Sequence, residues 1–321
     1  MITIAGAGLA GLACAYALAR RGVAVRLFER SGVIGADSAA RYAGGMLAPW
    51  CERESTEEEV ISLGSRAFDW WARITPVHRR GTLVVAPRRD RAEVARFGRR
   101  TRAYRQVGGA EIGALEPALA GRFDQGLFFE GEAHLDPRRA LRDLARAVTD
   151  LGGEISLGTE APQQVDLDCT GMAAPLPSLR SVRGEMAILR CPEVEISRTL
   201  RLLHPRTPIY LVPRGDGHYM LGATMVESDH AGPPTLRALM ELLGAAYALS
   251  PAFAEAEVVE TGAGLRPAFP DNLPRLERRD GTLFLNGLYR HGFLLAPAMA
   301  EAAADQLMEH RDENTREFRT A

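Results

Sequence analysis

Residues 2–30, ITIAGAGLAGLACAYALARRGVAVRLFER, decide the fold of this chain. A short apolar run meets Gly6, Gly8 and Gly11 in the spacing G-x-G-x-x-G, and a helical pattern and a second apolar run follow. Gly6 permits a tight turn from strand to helix, Gly8 lets a pyrophosphate approach the backbone, and Gly11 lets helix and strand pack closely. The helix N-terminus offers free N–H groups and the positive end of its dipole to the phosphates. The stretch therefore predicts a βαβ unit that binds a dinucleotide.

The second apolar run ends at Glu29, about twenty residues beyond the glycines. A carboxylate at that position can accept hydrogen bonds from both hydroxyls of a ribose. An ordinary βαβ unit with a Gly-rich turn would not explain this acid. The predicted contacts to the dinucleotide in this unit are Gly6, Gly8, Leu9, Ala10, Gly11, Glu29 and Arg30.

The segment after this unit indicates a large planar ligand. Residues 35–50, GADSAARYAGGMLAPW, form a loop of small residues and do not run on into another βα unit. Small side chains let the backbone approach a planar ligand closely. A plain linker of alanine and glycine is the alternative interpretation. The predicted cofactor contacts here are Ala43, Gly44, Gly45, Met46 and Leu47.

Composition and charge disfavour several classes of protein. The chain has 321 residues, enough for one large or two ordinary domains. A formal net charge of −2 provides no basic footprint for nucleic acid. All 39 cationic side chains counted as Lys or Arg are arginines, so no lysine side chain is available for Schiff-base chemistry. No apolar run reaches the ~18–20 residues of a membrane span.

Metal, hydrolase and export signals are also missing from the sequence. The four cysteines and seven histidines show no metal-binding spacing, and no G-x-S-x-G motif occurs. The N-terminus has no basic segment of the kind that begins a signal peptide. We therefore expect a reduced, cytoplasmic protein with no metal ion, no membrane anchor and no nucleic-acid partner.

Apolar periodicity predicts helices over 56–75, 90–106, 137–151 and 236–247. Strands are predicted over 82–86, 154–157, 165–169, 182–189, 209–212, 219–223 and 282–285, and a pair of strands broken by Gly131 is predicted over 126–135. The middle of the chain is therefore rich in strands, whereas a doubly wound NAD enzyme would continue with regular βα units. This pattern predicts two interleaved domains.

Several further segments carry a family resemblance. On these segments the chain resembles, from end to end, the D-amino-acid oxidase and glycine oxidase family of flavoproteins. Within that family it is most similar to the bacterial glycine oxidases of thiamine biosynthesis. The segments are GAGLAGL (6–12), YAGGMLAP (42–49), a strand ending in T-G (167–171), YLVPR (210–214), LGATM (221–225), AGLRPAFPDNLP (263–274) and GLYRHGFLLAP (287–297).

The resemblance implies an α/β fold, α+β overall, in which a Rossmann-like FAD-binding domain is interleaved with a β-rich, antiparallel-sheet substrate domain. Relatives with covalent flavin attach it through a cysteine in the C-terminal part. No cysteine follows Cys191, so we expect non-covalent FAD. The chain is short for the family between 152 and 171, so adenine contacts are expected to be abbreviated or supplied by 160–164. The expected division is 1–50, 136–180 and 260–321 for the FAD-binding domain and 51–135 and 181–259 for the substrate-binding domain.

The resemblance also implies an activity. A small amine-bearing acid is oxidised to its imine while dioxygen is reduced to hydrogen peroxide, and in the thiamine branch the imine of glycine supplies thiazole synthesis. The expected partners are a small amino acid and dioxygen, and homo-oligomers are common in the family. The alternatives are an oxidase or dehydrogenase of D-amino acids or sarcosine, and a flavin sensor without turnover. The loop at 42–49 disfavours a plain NAD dehydrogenase.

Residue by residue, the resemblance assigns Arg266 and Tyr210 to the substrate carboxylate, Met225 to the pocket lining and Arg290 to a second basic position. A guanidinium offers a rigid fork that fits a carboxylate bidentately. The alternatives are an ion pair of Arg266 with Asp271 and simple core roles for Tyr210 and Met225. The resemblance also implies cofactor contacts from Thr170, Gly171, Arg290, His291, Gly292, Phe293, Leu294 and Leu295. His291 is interpreted as a packed polar turn residue, because hydride transfer from a neutral amine needs no protein base.

Overall fold

The computed structural model describes residues 1–53, 58–205 and 208–320, and its side chains up to Arg311. The strands are β1 Ile2–Ala5, β2 Val25–Glu29, β3 Met46–Leu47, β4 Thr82–Val85, β5 Arg105–Gly108, β6 Gln125–Phe129, β7 Ala133–His134, β8 Glu154–Leu157, β9 Leu167–Asp168, β10 Arg180–Arg190, β11 Thr199–Leu202, β12 Ile209–Gly215, β13 His218–Gly222, β14 Val226–Glu227, β15 Glu257–Ala268, β16 Arg275–Arg279 and β17 Thr282–Asn286. The helices are α1 Leu9–Ala19, α2 Pro49–Glu52, α3 Glu58–Gly64, α4 Ala67–Ala72, α5 Ala92–Gly98, α6 Gly109–Leu115, α7 Pro137–Asp150, α8 Leu236–Leu249 and α9 Gly292–Thr320.

The first sheet is built around the N-terminal βαβ unit. Its strand order is β16-β17-β9-β1-β2-β8, and every neighbouring pair is parallel except β16 with β17. Gly6 turns the chain from β1 into α1 with a φ of +90°, which glycine adopts without steric cost. Since parallel strands end at one edge, the turns after β1, β2 and β9 lie together there.

A second, larger sheet covers the ligand side of that edge. Its path is β14-β10-β13-β12-β11-β4-β6-β5, with β15 paired along β10 over the register Arg180↔Ala268 to Arg190↔Glu257. All its pairs are antiparallel except β4 with β11. The predicted fold class is confirmed: a Rossmann-like sheet is combined with a mostly antiparallel sheet.

The predicted domain division stays a prediction. The strands of the first sheet all lie within 1–50, 136–180 and 260–321, whereas β15 of the second sheet runs across the predicted border at 259/260. We propose this division with β15 assigned to the substrate-binding part.

The main core lies between the first sheet and helices α1, α7 and α9. The central helix α1 is buried nearly all round, as expected of an apolar helix inside an α/β layer. The indole N–H of Trp71 on α4 donates a 2.7 Å hydrogen bond to the carbonyl of Phe293, which fixes the start of α9. The four cysteines, Cys14, Cys51, Cys169 and Cys191, are free and buried.

Two predicted helices are wrong in extent. The helix predicted over 56–75 is divided into α3 and α4, and its first two residues lie outside the described part. The helix predicted over 90–106 ends with α5, and its last residues form β5, whose Val107 is buried beside β6. Pairing with the sheet prevails here over a weak helical pattern. The helices predicted over 137–151 and 236–247 are confirmed as α7 and α8.

Within the residues that the structure describes, no helix has the length and apolar character needed to cross a membrane.

Candidate active site

A cavity of about 890 Å³ lies between the carboxyl ends of the parallel strands and the second sheet. The turns after β1, β2 and β9 and the start of α9 line one part of it, and β10, β12 and β15 line another. Such a crevice outside the carboxyl ends of parallel strands is where α/β sheets bind nucleotides. We call the two parts the nucleotide end and the substrate end.

The nucleotide end is shaped for close approach to the backbone. A Cβ atom on Gly6 would lie 2.8 Å from the carbonyl oxygen of Cys169, so only glycine fits. The carboxylate of Glu29 is held by two backbone N–H groups, from Ala7 to Oε2 at 2.9 Å and from Ser31 to Oε1 at 3.0 Å. Each oxygen can accept a further hydrogen bond, and the residue lines the cavity, which suits a ribose diol.

The structure places nearly all the sequence-predicted cofactor residues on the cavity wall, with three exceptions. Leu47 and Leu295 are fully buried in the core, and Gly11 touches the backbone of Gly6 rather than the cavity. These three residues pack behind the cavity wall, so the prediction that they contact the cofactor directly is corrected to a supporting position. Residues 160–163 also line the nucleotide end, where the sequence predicts substitute contacts to adenine.

Arg214 supports the small-residue loop, a role that sequence reasoning missed although the residue lies in YLVPR. Its guanidinium donates to the carbonyls of Gly44 at 2.9 Å, Ala43 at 3.2 Å and Leu135 at 3.2 Å. Only 9% of the side chain is exposed, and Asp136 lies 3.9 Å away. Burial lowers the pKa of Arg214 to about 10, so the group stays charged at neutral pH. One side chain thus ties β12 to the loop on the cavity wall.

Replacement of Arg214 by methionine is expected to weaken FAD binding at least tenfold. Methionine keeps an apolar stem but leaves three buried carbonyls without their donor, and a hydrogen bond to a charged group contributes about 1.5–3 kcal/mol. The FAD dissociation constant, measured by titration of the apoprotein, checks this. Arg146→Met, on an arginine whose side chain is 82% exposed, is the matched control. Equal FAD affinity in both variants would contradict a supporting role.

Arg266 and Tyr210 both line the substrate end of the cavity. Arg266 Nη1 donates to the carbonyl of Thr224 at 3.1 Å, and its guanidinium lies flat on β10, where a Cβ on Gly184 would overlap it. Among the described residues no carboxylate pairs with Arg266, because Asp271 instead binds Arg275 at 2.7 Å. The alternative interpretation, an ion pair of Arg266 with Asp271, is therefore not present in the structure.

Burial shifts the pKa values of both Arg266 and Tyr210. Burial lowers the pKa of the Arg266 guanidinium, and burial raises the pKa of the Tyr210 hydroxyl. The Tyr210 ring packs against Gly44, where a Cβ would lie 2.7 Å from the ring. Tyr210 is thus a cavity wall residue next to the predicted flavin loop, rather than an aromatic of the core.

Glu52 is a functional candidate that sequence reasoning missed. This carboxylate, at the end of α2, is 5% exposed and lines the cavity. Its Oε2 lies 2.6 Å from Nη2 of Arg290 and 3.3 Å from Nδ1 of His291, and its Oε1 lies 3.7 Å from Nη1 of Arg201. Burial raises the pKa of Glu52, but Arg290, His291 and Arg201 outweigh burial and hold it at about 2. Glu52 is therefore ionised at neutral pH.

His291 begins the turn into α9. It is buried, and its Nε2 has no hydrogen-bond partner among the described residues. Burial lowers the pKa of His291 to about 4, so the ring is neutral at neutral pH. A buried polar group without a partner calls for one, and His291 lines the cavity. His291, Gly292, Phe293 and Leu294 all line the cavity at the N-terminus of this long helix.

Met225 lies at the mouth of the substrate end. It is 52% exposed, which excludes a core role, and its sulfur lies 3.3 Å from Nη1 of Arg290 and 3.6 Å from the Tyr289 hydroxyl. Tyr289 has a φ of +50°, an uncommon conformation for a residue other than glycine. The structure thus brings Arg266, Tyr210, Arg290 and Met225 together around one end of the cavity.

Glu132 is a buried acid behind Glu52. Its Oε1 accepts a 2.8 Å hydrogen bond from the N–H of Cys51, and the residue is 1% exposed. Burial raises the pKa of Glu132 from 4.5 to about 7. The folded state therefore holds this proton more tightly than the unfolded chain, and the associated stability falls as the pH rises from 4.5 to 7.

Glu132→Gln is expected to flatten that pH dependence. The amide mimics the protonated acid and keeps the acceptor for Cys51, so the variant should gain on the order of 3 kcal/mol of unfolding free energy relative to the wild type between pH 5 and pH 8. Thermal melts at both pH values check this. A parallel pH dependence in wild type and variant would show that Glu132 is ionised in the folded state throughout.

No group of three or more histidine, cysteine, aspartate or glutamate side chains is placed to hold a metal ion in the described part of the chain.

The glycine-rich turn after β1, the carboxylate of Glu29 and the N-terminus of α9 together define a flavin-dependent oxidoreductase. The family model of FAD dependent oxidoreductases matches residues 1–306, so the chain belongs to this family and its cofactor is FAD. The residues fit the group: Gly6 and Gly8 leave backbone on the cavity wall, Glu29 suits the ribose, and His291 and the start of α9 line the same cavity.

Relatives narrow the class further. The chain is 56% identical over 323 residues to ThiO of Rhizobium etli, an oxidoreductase assigned by name to thiamine biosynthesis, with 98% of each chain covered. It is 29% identical to the glycine oxidase of Pseudomonas aeruginosa over 97% of this chain and 95% of that one. The crystal structure of glycine oxidase from Geobacillus kaustophilus has a TM-score of 0.79 at 22% identity, covering 96% of this chain and 94% of that chain, which shows a shared fold.

Proposed function

We propose that this protein is a glycine oxidase: it converts glycine to its imine, with dioxygen reduced to hydrogen peroxide, and supplies thiazole synthesis in thiamine biosynthesis. One observation supports the substrate class most directly. Arg266 presents a guanidinium to a cavity, beside the Tyr210 hydroxyl, and no carboxylate of the described chain pairs with it. A half-buried guanidinium without an anion fits the carboxylate of a small amino acid.

The side chains at the substrate end bind and orient. Arg266 and Tyr210 hold the carboxylate, which fixes the α-carbon in one position and removes most of the orientational freedom of the substrate. Arg290 lies at the same end of the cavity, where Glu52 pairs with its guanidinium at 2.6 Å. When bound, FAD supplies the hydride acceptor for the α-carbon. The first-turn N–H groups of α9 direct positive potential into the same cavity.

Anaerobic titration tests the activity. Glycine should bleach the yellow colour of the purified holoenzyme without air, and hydrogen peroxide should appear when air is admitted. Sarcosine and D-alanine are the comparison substrates. A preference for either by about a hundredfold in kcat/KM, equivalent to ~2.7 kcal/mol, would contradict glycine as the substrate but leave the class intact. Failure of every small amino acid to bleach the colour would favour a flavin sensor.

Non-covalent binding of FAD is predicted separately. Cys169 is the cysteine that lines the cavity in the described part of the chain. A hydrogen bond with the adjacent Cys14 thiol, together with burial, raises the pKa of Cys169 well above the ordinary range. A thiol held neutral is a poor nucleophile toward a flavin ring. Acid precipitation should therefore release FAD into the supernatant. Colour retained on the pellet after washing would indicate a covalent bond.

A further inference from the structure

The substrate end contains more positive charge than one carboxylate needs. The guanidinium groups of Arg201, Arg266 and Arg290 line the cavity, in addition to that of Arg183, which is paired with Glu185 at 3.1 Å, and an amino acid with one carboxylate brings a single negative charge to these three. An excess of buried positive charge is costly unless an anion compensates it. The ion pairs of these three arginines therefore decide how many substrate carboxylates the cavity can take.

Glu52 offsets one of these positive charges and is shared by two of the three arginines. Its Oε2 is 2.6 Å from Arg290 and its Oε1 is 3.7 Å from Arg201, so one carboxylate of the protein lies between two guanidinium groups. Side-chain exposures of 18% for Arg290 and 7% for Glu52 leave little water to screen the closer pair. Arg266 is the guanidinium of the three for which the described chain provides no acid.

We propose that Glu52 is a specificity-determining residue: its carboxylate takes the place that the second carboxylate of a diacid would occupy, so the enzyme selects monocarboxylate amines. This inference rests on the proposed function. Glu52 forms an ion pair with Arg290 within the protein, and Arg266 remains to bind one substrate carboxylate. A substrate with two carboxylates must displace Glu52 or bring its second charge next to it, and both are unfavourable.

The position of Glu52 supports this role over a purely structural one. A buried acid that only neutralises an arginine needs no access to the ligand cavity, and Glu116 illustrates that case: it is 1% exposed, binds Arg198 at 2.7 Å, and neither residue lines the cavity. Glu52 instead lines the cavity beside its two arginines. Glu116 is therefore the matched control for the loss of a buried acid.

Glu52→Gln tests the proposal with two substrates. The glutamine keeps the size of the side chain and one acceptor oxygen but removes the charge. Iminodiacetate, a secondary amine with two carboxylates, is the second substrate: its oxidation takes a hydride and the N–H proton from the molecule, reduces one dioxygen to hydrogen peroxide, and after addition of one water gives glycine and glyoxylate. We expect the ratio of kcat/KM for iminodiacetate to that for glycine, from initial rates, to rise at least about tenfold in Glu52→Gln.

Binding of inert acids gives a readout independent of turnover. In the wild-type holoenzyme, malonate should bind no more tightly than acetate, as measured by calorimetric titration. In Glu52→Gln, malonate should bind at least about tenfold more tightly than acetate, because Arg290 is then available to its second carboxylate. Both ratios should stay at the wild-type values in Glu116→Gln.

Each outcome decides. An unchanged ratio in a Glu52→Gln protein with normal FAD content would overturn the proposal, as would an equal change in Glu116→Gln. Should Glu52→Gln fail to fold, the wild type alone remains decisive, since tighter binding of malonate than of acetate by tenfold or more contradicts the role given to Glu52. An enzyme that leaves glycine unoxidised but shows the expected acid selectivity would contradict the proposed function and leave this inference standing.

Discussion

Arg266→Ala is expected to lower kcat/KM for glycine by at least ~10–100-fold, because a charge-assisted hydrogen bond to the substrate contributes about 1.5–3 kcal/mol and each decade in rate corresponds to 1.36 kcal/mol. Loss of orientation of the α-carbon should add to that effect. The melting temperature and FAD content should change little, since no acid of the described chain depends on this guanidinium. Steady-state kinetics, thermal melts and FAD content on the same preparation check the prediction.

Two companion variants sharpen the result. Arg266→Lys keeps the charge but loses the planar fork, so it should recover only part of the activity. Asp271→Asn is the control for the structural interpretation: its carboxylate binds Arg275 at the surface, and its loss should leave glycine kinetics unchanged. A large fall in stability with near-normal kinetics in Arg266→Ala would show that the residue supports the fold rather than the substrate.

Gly11→Ala should have the second large effect, loss of FAD and of much of the stability. A Cβ at this position would overlap the carbonyl oxygen of Gly6, and it would lie 3.4 Å from the Cβ of Cys169. Gly6 follows β1 and Cys169 follows β9, both at the nucleotide end, and a backbone carbonyl cannot rotate away as a side chain can. We expect the purified variant to be colourless, with a melting temperature lowered by several degrees, since ~1 kcal/mol corresponds to roughly 2–4 °C in larger domains.

Gly244→Ala is the matched control for this variant. Gly244 also lies within a helix, α8, but nothing stands within 4 Å of its added Cβ. Alanine in a helix interior is favoured over glycine by about 1 kcal/mol, so the control should be as stable as the wild type or more stable, with full FAD content. A yellow, stable Gly11→Ala protein would show that the turn can open to admit a methyl group.

The parts of the fold that could be predicted from sequence are those whose physical cause is local. The turn at Gly6 and the helical period of α7 depend on neighbours a few residues away in the chain. Strand β5 was missed because its pairing with β6 lies across the sheet, whereas the arginine-rich stretch before it has a weak helical pattern. The predicted extent of the helix over 90–106 was wrong because pairing with β6 determines where that helix ends.

The site divides in the same way. Arg266 and Tyr210 lie in motifs that point to them, although their roles stay predictions. Glu52 could not be found from sequence, because its partner Arg290 is distant in the sequence and only the fold brings the two side chains to 2.6 Å. Arg214 was hidden for a similar reason, since three carbonyls from distant segments reveal its role.

The burial of all four cysteines gives the protein a set of internal reporters of opening. A thiol-alkylating reagent can reach Cys14, Cys51, Cys169 or Cys191 only when the surrounding elements separate, so the alkylation rate at each site measures how often that region opens. Cys169 borders the cofactor cavity, whereas Cys191 packs within the core of the second sheet. Peptide mass analysis after timed alkylation should therefore distinguish opening of the FAD-binding side, which exposes the first thiol, from opening of the substrate side, which exposes the second.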